Sequence, residues 1–196
     1  MRNSFCFAMS MQIDLGTPNA KQKLFLKDHH RHIGFGGARG GGKSWAVRAK
    51  IILLAVKHPG IQMMVVRRTY PELQANHIRP LKKLLHVGEP GCLVKYSDKE
   101  KLMTFPNGST VLFGYCKNEG DTDRYQGTEV DVLFIDEATQ LTEQQIGDLN
   151  ACVRGVSKYP RRTYYTCNPG GKGHGYIKRI FIDREYLSTE YPEDYA

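Results

Sequence analysis

The chain has 196 residues, of which 40% are hydrophobic and 24% charged, enough for one substantial core and ordinary for a globular domain. A formal charge of +8 and a pI near 9.2 favour an acidic partner such as a nucleotide or nucleic acid but say nothing about fold. Five cysteines (Cys6, Cys92, Cys116, Cys152 and Cys167), an odd set with no C-x-x-C spacing, argue against both a disulfide framework and a zinc cluster and fit a reduced compartment.

In chain order, residues 1–14 read as a mobile leader. Their apolar patch, Phe5 to Met9, is too short for a membrane span and lacks a signal-peptide cleavage region. Thr17 and Pro18 then predict a helix start, with Thr17 as N-cap and a helix running to Lys27. Gln22 on that helix is either a solvated surface residue or, one short helix ahead of a phosphate site, an amide able to pair with both N6 and N7 of adenine. Residues 31–36 predict a short strand, and Ser44 to Lys57 a largely buried helix. Between them Gly37-Ala38-Arg39-Gly40-Gly41-Gly42-Lys43-Ser44 fits G-x-x-x-x-G-K-[ST] at every fixed position. Glycines let successive N–H groups turn toward one anion, and the helix adds its positive end. Gly37, Gly40, Gly41 and Gly42 then cradle a triphosphate, Lys43 reaches its β/γ-phosphates, and the Ser44 hydroxyl holds Mg²⁺.

A buried parallel strand is predicted over 61–67, with Arg67 and Arg68 at the carboxyl end, facing phosphate or forming a solvated or salt-bridged pair. A helical stretch follows from Tyr70 to about His86. Three short strands (93–96, 101–105 and 109–115) predict an antiparallel addition to the sheet, and the polar loop 117–128, which contains Arg124, reads as mobile. The run from Val130 to Ile135 predicts a central strand ending in adjacent carboxylates. Asp136 would hold the Mg²⁺ shell while Glu137 polarises the attacking water. Thr142 and Gln145 have capping-box spacing for the next helix. Residues 161–167 predict another strand, whose polar end, with Thr166 and Asn168, is placed to sense a γ-phosphate. Residues 173–181, basic with interleaved aromatics, read as a core helix with a basic face in preference to a nucleic-acid contact. The alternation of strands and helices predicts an α/β fold with a mostly parallel sheet flanked by helices.

Four of these features together resemble the N-terminal ATPase domain of the large terminase subunit of tailed bacteriophages, over roughly residues 15–196. Thr17-Pro18 through Gln22 is similar to the adenine-reading Q motif and Gly36 through Ser44 to Walker A. Val132 through Glu137 is similar to Walker B with its catalytic Glu, and Thr166 through Pro169 to the coupling motif. The resemblance implies a P-loop NTPase of the RecA-like ASCE type that binds ATP with Mg²⁺. It implies hydrolysis coupled to translocation of double-stranded DNA into a procapsid, in the host cytoplasm, by a ring of subunits on the portal with the small terminase subunit as a further partner and no membrane. An isolated domain would be monomeric. The resemblance also makes Gln22 an adenine contact and Arg39 a candidate cis arginine finger, and it puts Arg124 where related packaging ATPases offer a finger to a neighbour. Large terminases of this type usually continue into a nuclease domain with a carboxylate cluster, and its absence here implies a chain without nuclease activity. Two other readings stay open: a nucleotide-gated assembly module with negligible turnover, and another DNA-dependent P-loop motor such as a helicase.

Overall fold

In the computed structural model, residues 4–7 and 11–196 are described, apart from 39 and 156. A seven-stranded sheet forms the body, in the order β3-β9-β8-β4-β7-β6-β5. Its strands are β3 (His32–Gly36), β4 (Gln62–Arg67), β5 (Lys95–Ser97), β6 (Leu102–Thr104), β7 (Thr110–Tyr115), β8 (Val132–Ile135) and β9 (Arg162–Cys167). The first five positions of that order run parallel, and β6 and β5 add antiparallel rungs at one edge. The expected antiparallel addition is therefore smaller by one strand. The apolar run of β7 pairs Val111 to Tyr115 with Met63 to Arg67 of β4, and that buried parallel partner takes it from the hairpin.

Helices cover both faces: α1 (Ala20–Lys27), α2 (Lys43–Lys57), α3 (Tyr70–Leu73), α4 (Arg79–Leu84), α5 (Glu143–Asn150) and α6 (His174–Lys178). On one face Ile51, Ile52 and Ala55 of α2 pack on Met63, Val65 and Phe134; on the other Ile146 and Leu149 of α5 meet Val66, Leu133 and Ile135. A strand buried on both faces reads as a continuous apolar run, and β4 and β8 do so. The π-helical turn Gln74–Ile78 joins α3 to α4 and swings His77 under the sheet edge, where it is wholly buried.

Several expectations change. The cap of α1 is Asn19, not Thr17: its side chain accepts from the Gln22 N–H, and Gln22 returns the bond to the Asn19 N–H at 2.8 Å. The segment read as a leader contains β1 (Ser4–Phe7) and β2 (Met11–Asp14), paired antiparallel, and its Ile13 joins the core. The loop 117–128 folds as a 3₁₀ helix, Glu119–Tyr125, because Asn118 and Asp121 form a capping box and Tyr125 is buried with its hydroxyl on the Tyr115 backbone. Residues 174–183 form a core helix as read: Ile177 and Ile180 are buried, while Lys178 pairs with Asp183 and Arg179 with Glu190. No helix among the described residues is long and apolar enough to cross a membrane.

Candidate nucleotide site

The parallel strands β3, β4, β8 and β9 deliver their carboxyl ends to one edge of the sheet, where ligands of open α/β sheets bind. There a cleft of about 490 Å³ is lined by Gly40 to Ser44, Arg48, Asn76, Asp136, Glu137 and Asn168, among others. The glycine loop leaves β3 and enters α2 through Gly42, whose φ of 72° lies in the left-handed region. The side chain of Gln22 occupies the space where a Cβ on Gly42 would stand, donating from Nε2 to the Gly42 carbonyl at 3.2 Å. Gln22 therefore ties α1 to the loop and is itself buried.

Gly42→Ala combines left-handed strain with that contact and should cost about 1–2 kcal/mol, lowering Tm by roughly 2–8 °C for a chain of this size. In the Gln22→Ala background the added cost should shrink, because the obstructing amide is gone. Thermal melts of the four members of this cycle check it; full additivity would show that the two residues do not meet.

Lys43 Nζ donates to the carbonyls of Gly37 at 2.8 Å and Ala38 at 2.9 Å, and to Asn168 Oδ1 at 2.8 Å. Asn168 in turn donates from Nδ2 to Glu137 Oε1 at 3.2 Å, so one amide spans the loop lysine and the acidic pair. Glu137 follows β8 in the left-handed region, at φ 56° and ψ 52°. That conformation, uncommon for a residue with a side chain, sets its carboxylate against Arg67, Asn168 and Gln140.

Asp136 is almost fully buried and surrounded by donors. Thr166 Oγ1 donates to its Oδ1 at 2.5 Å, His77 Nε2 lies 2.8 Å from its Oδ2, and Arg67 Nη1 stands 3.2 Å from the same oxygen. Burial alone would raise the Asp136 pKa, but the charge and hydrogen bond of His77, the Thr166 hydroxyl and the Arg67 charge outweigh it and hold the carboxyl below its ordinary range. The Arg67 guanidinium reaches both acids, with Nη2 2.9 Å from Glu137 Oε1.

Of the residues read from sequence, Gln22, the loop glycines, Lys43, Ser44, Asp136, Glu137 and Asn168 come together at this edge. Thr166 is fully buried behind them: besides bonding Asp136 it accepts from the Glu137 N–H at 2.9 Å, so it shapes the turn between the acids and does not face the cleft. Arg124 lies apart, partly exposed on the 3₁₀ helix, paired with Asp121 at 2.6 Å and stacked over Tyr115. Arg39 lies outside the described residues. His77 and Arg48 had no signal in the sequence, and Arg67 had only its position at a strand end. Arg48, one turn into α2, lines the cleft and donates to the Asn76 carbonyl.

The family model for the terminase large subunit, T4likevirus type, N-terminal, matches residues 35–181, which span the glycine loop, both acids and Asn168. The chain belongs to this terminase large-subunit family. Among curated protein sequences none matches. Solved structures agree on the fold. The large terminase of a thermophilic bacteriophage in complex with ADP superposes with a TM-score of 0.67 at 20% identity over 90% of this chain and 44% of that one. The same protein with ATP-γ-S gives 0.63 at 21% identity, over 90% and 43%. The ATPase domain of the Thermus phage P74-26 large terminase gives 0.63 at 15% identity, over 88% of this chain and 73% of that one. This terminase chain thus shares the fold of these large terminases, a mostly parallel α/β sheet with flanking helices, and it spans less than half the length of the thermophilic bacteriophage's protein.

Proposed function

We propose that this terminase chain is the ATP-hydrolysing motor domain of a viral DNA-packaging machine, which couples hydrolysis to translocation of double-stranded DNA into a procapsid. The observation that carries this reading is the Asn168 bridge between Lys43 and Glu137. A module that only bound nucleotide would have no need of a hydrolytic carboxylate wired to its phosphate lysine. Solved relatives hold ADP and ATP-γ-S, and a further one, at a TM-score of 0.51 and 14% identity, is described as a DNA packaging motor.

In this mechanism the loop amides and Lys43 take the β- and γ-phosphates, Gln22 exchanges its bonds to the Asn19 N–H and the Gly42 carbonyl for the adenine edge, and Glu137 orients the attacking water. The arriving γ-phosphate competes for Lys43 with the carbonyls of Gly37 and Ala38 and with Asn168. Releasing Asn168 from Lys43 frees its amide to track the phosphate, and Glu137 feels the change through the same side chain. Thr166 carries that change into β9 through the Asp136–Glu137 turn. Arg39, or Arg124 of a neighbouring subunit, stabilises the charge that builds on the transferring phosphoryl group. Mg²⁺ suits the donors present. Ser44 supplies a hydroxyl and Asp136 a carboxylate kept ionised, and among the described residues no cluster of three His, Cys, Asp or Glu could hold a metal alone. Such an ion would share its shell with phosphate oxygens, neutralising charge on the β- and γ-phosphates. The portal and the small terminase subunit are the partners, and the motor acts as a ring in the host cytoplasm.

Phosphate release by the chain, alone and with duplex DNA, tests this. We expect measurable basal turnover that rises with duplex. No turnover under either condition, with ATP still bound, would leave the gating module, and ATP-driven strand separation would leave the helicase.

A further inference from the structure

Opposite the nucleotide cleft, the amino-terminal edge of the sheet carries a second concavity, an open groove of about 840 Å³. It is built from the loop entering β3, with His29, His30 and Arg31, the loop entering β9, with Lys158, Tyr159 and Arg161, and the first residue of β9, Arg162. Its charge is unbalanced. Four Lys or Arg side chains line it against Glu193 and Asp194, and Arg31 alone of the four is ion-paired among the described residues, at 3.6 Å to Asp194. Among the described residues Lys158 and Arg162 have no carboxylate partner, Arg161 gives its Nε to the Gly155 carbonyl, and the buried Arg162 Nε makes no hydrogen bond.

The surrounding groups register the excess. His29 and His58 both have lowered pKa values, first through burial and then through the positive charges of Arg162, Lys50 and Lys57. Tyr159 stands in the groove as an aromatic wall, its ring 5.0 Å from His58 and its hydroxyl donating to the Pro59 carbonyl. A protein segment docking here would need an apolar anchor. Yet the exposed large hydrophobics among the described residues, Leu24, Leu93, Ile182, Leu187 and Tyr191, all lie outside the groove. A phosphodiester backbone needs only positive charge along an open track.

We propose that this groove is a nucleic-acid contact surface, in which Lys158, Arg161 and Arg162 neutralise successive phosphates of a duplex while ATP occupies the opposite edge of the sheet. The choice of duplex rests on the motor reading above; the groove itself does not. A nucleic acid held at the amino-terminal edge touches the loops entering β3 and β9, the two strands whose other ends carry the glycine loop and Asn168.

The test is binding of a short labelled duplex to the whole chain without nucleotide, as a function of salt. Three proteins are compared: wild type, Lys158→Glu/Arg161→Glu, and a control of equal charge change on the far antiparallel edge, Lys95→Glu/Lys99→Glu. Removing two phosphate contacts should lower the slope of log affinity against log salt by about 1.8 and cost about tenfold or more in affinity near 0.1 M salt. The control should lose far less, and basal ATP turnover should be unchanged in all three. Where thermal melting shows the Glu pair misfolded, Lys158→Gln/Arg161→Gln takes its place, with a smaller loss. Binding as tight as wild type in the groove variant, or an equal loss in the control, overturns the proposal. So does a wild type that ignores duplex, whether or not it binds polyglutamate, the latter pointing to an acidic protein segment. Because this assay contains no ATP, duplex binding lost in the groove variant beside absent turnover counts against the motor alone. Duplex-stimulated turnover with unaltered binding counts against the groove alone.

Discussion

Replacing Glu137 by Gln is expected to leave ATP binding within a few-fold of wild type and to lower turnover by about 10²–10⁴-fold, the usual range for a general base. Gln keeps the volume and one carbonyl oxygen, so Arg67 and Asn168 retain an acceptor where Glu137 Oε1 stands, 2.9 and 3.2 Å away. What it loses is the negative charge that draws a proton from water. The backbone demand of the site, φ 56° at this residue, is the same for Gln, so the Asp136–Glu137 turn held by Thr166 should survive. Binding of a fluorescent ATP analogue and steady-state phosphate release separate the two effects. Turnover within threefold of wild type would remove Glu137 from this role and move attention to Asp136, the other acid of the cleft.

Parts of this site are legible in the sequence because they are local. The glycine loop declares itself by spacing, and the run Val132 to Ile135 followed by two acids declares a buried strand that stops at a polar edge. Gln22 is found only because a phosphate loop follows, and its partner, the Gly42 carbonyl, is twenty residues away. His77 gives no such sign. Nothing in Gln74 to Ile78 marks it, and the π-helical turn that points it at Asp136, 59 residues on, is a product of packing. Thr166 was visible, but its direction was not: alternate residues of a strand face opposite sides, and only the register of β9 against β8 turns Thr166 toward Asp136. Arg67 sits between these cases. Its place at the end of β4 was readable, while its choice of two carboxylates over phosphate follows from β8 lying next to β4.

That double contact gives the second large expectation. Arg67→Met keeps an unbranched apolar stem of similar length and deletes the charge between two acids, one of them almost fully buried. Breaking a buried pair by removing one partner costs about 3–5 kcal/mol. The lower end applies here, since Asp136 keeps His77 and Thr166, and Arg67 Nε and Nη1 form no hydrogen bond to lose. About 3 kcal/mol corresponds to a Tm roughly 6–12 °C lower. Lost packing and lost charge are separated by pH. A carboxylate whose folded pKa is depressed adds stability above its unfolded value of 3.8, and that stability is lost as the pH falls below it. Without Arg67 the depression at Asp136 is smaller, so this contribution shrinks. The unfolded value is common to both proteins, so the Tm difference between wild type and Arg67→Met should stay at its pH 7 size down to the variant's own folded value, which lies below 3.8, and narrow only as the pH falls beyond it toward about 2. A difference that stays constant down to about pH 2 would mean that Arg67 holds the site by its stem, and that the Asp136 carboxylate is kept ionised by His77 and Thr166 alone.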